Sequence, residues 1–157
     1  MSKFVSTSLC VLLLAVAGPA SAEGQVLSND LSKCQRGPST LVQISGLKAG
    51  TGKVRVQSYR ATPSDWLAKG RWISRIEVPA RAGSMTVCVP LPAAGTYGIA
   101  VRHDVNGNGK TDLSADGGGM SNNPSINIFN LGKPSYKKTA FEVGNAPKTI
   151  SITMKYM

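Results

Sequence analysis

Gly95-Thr96-Tyr97-Gly98-Ile99-Ala100-Val101-Arg102-His103 decides the fold class, because its large apolar side chains recur every second residue. Tyr97, Ile99 and Val101 fall on one side, as a half-buried β-strand requires and as a period of 3.6 residues would not arrange them. The same alternation extends outward in both directions. Upstream, strands are expected at Thr40–Ser45, Lys53–Arg60, Arg71–Val78 and Ser84–Val89, separated by turn residues such as those of Gly46 to Gly52. Val54 and Val56 share a face, as do Trp72, Ile76 and Val78, and Met85, Val87 and Val89. Downstream, Thr139–Val143 and Thr149–Tyr156 alternate again, the latter with Ile150, Ile152, Met154 and Tyr156 together. Thr62-Pro63-Ser64-Asp65 reads as a helix start, with Trp66 and Leu67 anchoring one short turn. No long amphipathic helix and no internal repeat is visible. Seven short strands with regular turn signals predict an all-β fold, a two-sheet antiparallel sandwich of immunoglobulin-like or prealbumin-like type.

The N-terminus has a different grammar. Lys3 is followed by the apolar stretch Leu9 to Ala17 and then by Ala20-Ser21-Ala22, the small-x-small pattern of a cleavable signal peptide. The apolar stretch is shorter than the about 20 residues a membrane span needs. Cys10 lies inside it, well before the cleavage pattern, which argues against a lipid-anchored cysteine. Residues 1–22 are therefore expected to be a signal peptide, 23–39 a polar leader segment, and 40–157 a single β-sandwich domain. The product is expected to be secreted or periplasmic, with no transmembrane segment after cleavage. Of its cysteines, Cys34 and Cys88 survive, and in an oxidising compartment such a pair reads as a disulfide. In the register of Ser84–Val89, however, Cys88 points away from Val87 and Val89.

Charge narrows the partners. The chain carries 18 Lys and Arg against 8 Asp and Glu, a formal net charge of +10. Such an excess favours anionic partners, here anionic cell-envelope components rather than a specific nucleic acid. Lys53 and Arg55 lie on the outward face of one strand, and Arg71 and Arg75 on that of the next. Pairing of those strands would gather the four into an anion-binding patch, with Tyr59 beside them for stacking.

Between Asp104 and Pro134 the alternation stops, leaving a long loop rich in Asp, Asn and Gly, and loops of that length inside a compact domain are usually functional. Its first part, Asp104-Val105-Asn106-Gly107-Asn108-Gly109-Lys110-Thr111-Asp112, has the pattern D-x-N-x-N-G-x-x-D. Calcium takes six to eight oxygen ligands, often from side chains two residues apart along a tight loop. Asp104, Asn106, Asn108 and Asp112 have that spacing, Gly109 falls at the sharp turn, and Lys110 offers its carbonyl. The carboxylate expected three residues after Asp112 is replaced by Ala115, and Asp116 is the nearest that can close the sphere. Asn-Gly-Asn-Gly alone is also ordinary turn chemistry. The expected cofactor is weakly bound calcium; zinc is disfavoured, because a second histidine and a free cysteine are missing.

Nothing in the sequence points to catalysis. His103 is the only histidine and precedes Asp104 directly, so on a strand their side chains diverge. There is no G-x-S-x-G elbow, no paired Glu set and no phosphate-binding loop, so no enzyme is expected.

Gly95 to Asp104 running into Asn106-Gly107-Asn108-Gly109-Lys110-Thr111-Asp112 resembles a bacterial exported family, domain-of-unknown-function family 2141. Met120-Ser121-Asn122-Asn123, Gly132-Lys133-Pro134-Ser135-Tyr136 and Ala140-Phe141-Glu142-Val143 match it too, so the resemblance spans roughly Leu41 to Tyr156. It implies a secreted or periplasmic β-sandwich without an established activity. Members of the family often carry Gly-x-Pro-x-Glu-Gly before the Ser-Asn segment; this chain has Asp116-Gly117-Gly118-Gly119 there, one acidic residue fewer. Two functions follow as expectations. One is a non-catalytic exported sandwich with a calcium-binding loop at 104–116. The other is a cell-envelope adhesin or anion-binding module working through the basic face.

Overall fold

The computed structural model describes residues 24–157, so the signal-peptide expectation lies outside the described residues. Ten strands form two sheets around one core: β1 (Gln25–Leu27), β2 (Ser39–Leu47), β3 (Lys53–Arg60), β4 (Ser74–Pro79), β5 (Gly83–Pro90), β6 (Gly95–Asp104), β7 (Gly117–Met120), β8 (Phe141–Val143), β9 (Lys148–Thr153) and β10 (Lys155–Tyr156). One helical turn, α1 (Tyr136–Thr139), precedes β8. The larger sheet runs β1-β4-β3-β6-β7-β10, and β8 joins β6 at Gly95–Tyr97, beyond the part that pairs with β7. The smaller sheet is β5-β2-β9.

The alternating β-branched side chains build the interior. Val42, Ile44, Val87, Val89 and Ile152 of the smaller sheet meet Val54, Val56, Ile76, Ile99 and Val101 of the larger one, all buried. Each such side chain contributes about 1.5–3 kcal/mol of hydrophobic stabilisation. Tyr97 joins them and satisfies its hydroxyl on the Ala93 carbonyl at 2.8 Å.

The all-β two-sheet architecture is as expected, but four details differ. Two pairings are parallel, β1 with β4 and β2 with β9. A hairpin imposes antiparallel pairing only on strands joined by a short turn, and neither pair is joined that way. Ten strands replace seven because the leader contributes β1, the long loop contains β7, and Thr149–Tyr156 divides into β9 and β10, in different sheets. The alternation runs unbroken through Met154, whose N–H bonds the Ser45 carbonyl at a β-bulge of β2, so the change of sheet leaves no mark on the pattern. Thr139 ends α1 instead of opening a strand, and β4 begins at Ser74, with Arg71 in the preceding turn. A separate turn, with Trp66 N–H on the Thr62 carbonyl, stands where the Thr62–Asp65 pattern reads as a helix start; no helix follows there, and Leu67 takes a positive φ.

Cys34 and Cys88 are joined by a disulfide, with Cα atoms 5.7 Å apart. Cys88 does face away from the main core. The leader lies over that face: Asn29 accepts from Cys88 N–H and donates to the Thr86 carbonyl. The bridge closes 54 residues, which in the chain-entropy model stabilises the fold by roughly 4 kcal/mol.

Candidate functional site

β6 ends at Asp104 and β7 begins at Gly117, and these strands are antiparallel neighbours. The segment between them is therefore a hairpin loop held at both ends. Inside it, Asn106 Oδ1 accepts from Asn108 N–H at 3.1 Å, and Asn108 Oδ1 accepts from Lys110 N–H at 2.7 Å. These are two successive Asx turns, the local bonding that Asn favours outside regular structure. Asp104 Oδ2 accepts from Gly109 N–H at 2.8 Å, which closes the turn onto the end of the strand. Asp112 Oδ2 takes amide N–H groups from Asn106 at 2.9 Å and Asn108 at 2.7 Å. Those two donors, Asn106 foremost, hold the exposed Asp112 carboxyl below the usual carboxylate range, with the charges of Lys110 and Arg102 adding to them.

The structure thus draws Asp104, Asn106, Asn108, Lys110 and Asp112 around one turn. Asp116 has a different place. Its Oδ1 accepts from Val105 N–H at 3.1 Å and its Oδ2 from Asp112 N–H at 3.0 Å, so it braces the two arms of the loop. Arg102 is a strap that the sequence pattern does not reveal: it donates to Thr111 Oγ1, to the Gly109 carbonyl and, at 3.4 Å, to Asp104 Oδ2. Asp104 is only 4% exposed, yet its Oδ1 has no hydrogen-bond partner. A buried carboxylate oxygen left in that state costs the desolvation of a charged group. Among the described residues no three His, Cys, Asp or Glu form a metal-holding group, so a cation here would depend on asparagine and backbone oxygens as well.

Arg55 and Arg75, two of the four cations predicted to form one patch, lie on paired strands within reach of each other's charge. Arg55 pairs with Glu77 at 2.6 Å, on the neighbouring strand. Arg75 lies over the Trp72 ring, 4.3 Å from its centroid. Arg71 lies outside the strand and pairs with Asp65 at 2.6 Å. Lys53 remains exposed at the end of β3. Tyr59 is buried edge-on to Trp66, and burial pushes its hydroxyl pKa up against the charges of Arg75 and Arg55.

His103 faces the interior, opposite to Asp104, and is fully buried. Its Nε2 lies 2.8 Å from the Thr51 carbonyl, which can only accept, and its Nδ1 lies 2.7 Å from Tyr156 Oη. The Nε2–H tautomer satisfies both, with the Tyr156 hydroxyl donating to Nδ1 and accepting from Lys48 N–H. The ring ties β6, β10 and the β2–β3 turn together. The Ser-Asn motif is also accounted for by the fold. Ser121 Oγ accepts from Ile99 N–H and donates to the Thr139 carbonyl, bridging the gap between β7 and β8. Asn123 bonds both Thr153 N–H and the Ser151 carbonyl on β9. Pro134 receives the Trp66 indole N–H at 2.8 Å.

A mostly β two-sheet fold, latched by one disulfide and carrying a braced Asp/Asn loop between β6 and β7, defines the class. The family model described as "Uncharacterized protein conserved in bacteria (DUF2141)" matches residues 42–151, and the chain belongs to that family. No curated protein and no solved structure matches it. Among the described residues no helix is long and apolar enough to cross a membrane.

Proposed function

We propose that this chain is an exported, non-catalytic sandwich domain, of immunoglobulin-like or prealbumin-like type, whose loop from Asp104 to Asp116 is ordered by calcium. The unpartnered, buried Asp104 Oδ1 carries this reading. A divalent cation there would satisfy an oxygen that no protein donor reaches. Asn106 and Asn108 side-chain oxygens, the Lys110 carbonyl and Asp112 would complete the set, with Asp116 bracing the loop and available as a further carboxylate. The hard oxygen donors suit calcium. The nearby Arg102 guanidinium already screens Asp104, so affinity falls at the weak end of about 10⁻⁴–10⁻³ M for extracellular modules. Export is supported by the Cys34–Cys88 bridge, since disulfides persist in oxidising compartments.

Calcium titration followed by thermal unfolding tests this. With a dissociation constant of about 1 mM, about 10 mM calcium should stabilise the fold by roughly 1.4 kcal/mol, and magnesium by less. Asp104→Asn should abolish the gain while the protein remains folded. A melting temperature unchanged by calcium would leave the loop as hydrogen-bonded turns alone.

A further inference from the structure

The outer face of the larger sheet carries a groove of about 300 Å³, unrelated to the interior core. Its floor is made by small or adaptable residues that the pleat turns outward from neighbouring strands: Ala100, Gly118 and Met120. Leu113, from the loop after β6, and Ile126 and Leu131, from the segment after β7, line it as well. Leu113, Leu131 and Met157, which all line the groove, are among the few large apolar side chains left exposed, and nearby Phe129 is another.

Gly118 is the telling residue. A Cβ built on it would meet nothing closer than Ile126 Cδ1 at 3.9 Å. Its missing side chain therefore serves no packing need of the protein, and what it does is keep the floor open. Charge around the groove is one-sided. Arg55 is paired with Glu77 and Arg102 with Asp104, whereas Lys133 and Lys155 have no ion-pair partner among the described residues. The lining carboxylate, Asp116, has both oxygens engaged by backbone N–H groups. An apolar trough with two uncompensated ammonium groups complements a molecule with an apolar body and an anionic head. The volume is at the lower end of small-molecule sites, which suits one acyl chain and not a two-chain lipid.

We infer that this groove binds a single-chain amphipathic anion of the fatty-acid type, its chain over Ala100, Gly118 and Met120 and its carboxylate held by Lys133 and Lys155. The groove shares Leu113 and Asp116 with the 104–116 loop, but Gly118, Leu131, Lys133 and Lys155, the positions its test changes, lie outside it, so failure here and failure of the calcium reading are distinguishable.

Calorimetric titration with decanoate below its micelle concentration, with decanol as the neutral counterpart, tests it. Decanoate should bind at one saturable site. Gly118→Leu fills the floor and should weaken binding by at least about tenfold, since several methylene contacts are lost. Leu131→Asp, at an exposed position that folding does not need, should also weaken it. The double change Lys133→Gln with Lys155→Gln should weaken decanoate by about fivefold and leave decanol unaffected. Absence of decanoate binding would overturn the inference. So would affinity unchanged in both Gly118→Leu and Leu131→Asp, or binding confined to anionic vesicles.

Discussion

Two glycine-rich runs lie within ten residues of each other and do opposite things. In Asn106-Gly107-Asn108-Gly109 the glycines have φ of +70° and +78°, and a Cβ added to either would meet nothing within 4 Å. They are there for their dihedral angles. In Gly117-Gly118-Gly119 no φ is positive, and the run is the strand β7. A Cβ on Gly117 would lie 2.5 Å from the Tyr156 ring, and one on Gly119 would lie 2.7 Å from Ile152 Cγ2 and 3.1 Å from Met154 Sδ. These two are there for the room they leave. The first run shapes the hydrogen-bonded loop after β6, while the second lets β9 pack over β7 and the Tyr156 ring of neighbouring β10 lie across Gly117. Composition alone treats both as loop.

The sharpest way to break that comparison is to add one methyl group to each run. Gly119→Ala forces its Cβ onto Ile152 and onto the Thr153 carbonyl, which is backbone and cannot rotate away. Overpacking of a well-filled core costs about 1–3 kcal/mol, and the upper half of that range is expected here. Urea unfolding should show the midpoint falling with little change in slope. A neutral result would mean that β9 does not pack over β7 in solution.

Gly109→Ala is expected to cost less. The added Cβ has open space around it, so the whole penalty is the left-handed backbone, about 1–2 kcal/mol for a residue with a side chain. Its signature is different too, because the Asp104 bond to the residue 109 N–H is strained along with it. Gly109→Ala should therefore reduce the calcium-dependent rise in melting temperature, whereas Gly119→Ala should lower the melting temperature equally with and without calcium. Thermal scans of both variants at two calcium concentrations separate the two kinds of glycine.

The same contrast explains what could be read before the fold was known. Lys53–Arg60 is a strand at its expected bounds, because Val54 and Val56 advertise the period and turn residues flank it. The spacing of Asp104, Asn106, Asn108 and Asp112 likewise shows in the order of residues, since Asx turns bond over two positions. β7 was illegible: three glycines have no side chains to alternate, and the evidence for a strand lies in Tyr156, Ile152 and Met154, more than 30 residues on. Arg102 as a strap and Asp116 as a brace were illegible for the same reason, because both depend on where the chain returns after the turn. The basic face was legible only in part: Arg55 and Arg75 lie within reach of each other's charge on paired strands, whereas Arg71, which extending the alternation upstream of Ser74 would put on β4, lies in the preceding turn and pairs with Asp65.

Gly118 is the internal control of the second run, and the smallest effect is expected there. It sits in the middle of β7 between two glycines that tolerate nothing, yet its own Cβ direction is the outer face. Its φ is not positive, so alanine meets no backbone strain. The nearest atom to the new methyl group is Ile126 Cδ1 at 3.9 Å, an ordinary van der Waals contact. What remains is the entropy of the unfolded chain, which alanine restricts, and that favours the folded state by about 0.4–1 kcal/mol. Gly118→Ala should therefore be neutral or slightly stabilising, in a strand where the same change one residue to either side is damaging. Its melting temperature, measured beside those of Gly117→Ala and Gly119→Ala, tests the register of β7 against β6 directly. A one-residue slip would move Gly118 inward, and Gly118→Ala would then become a damaging member of the three.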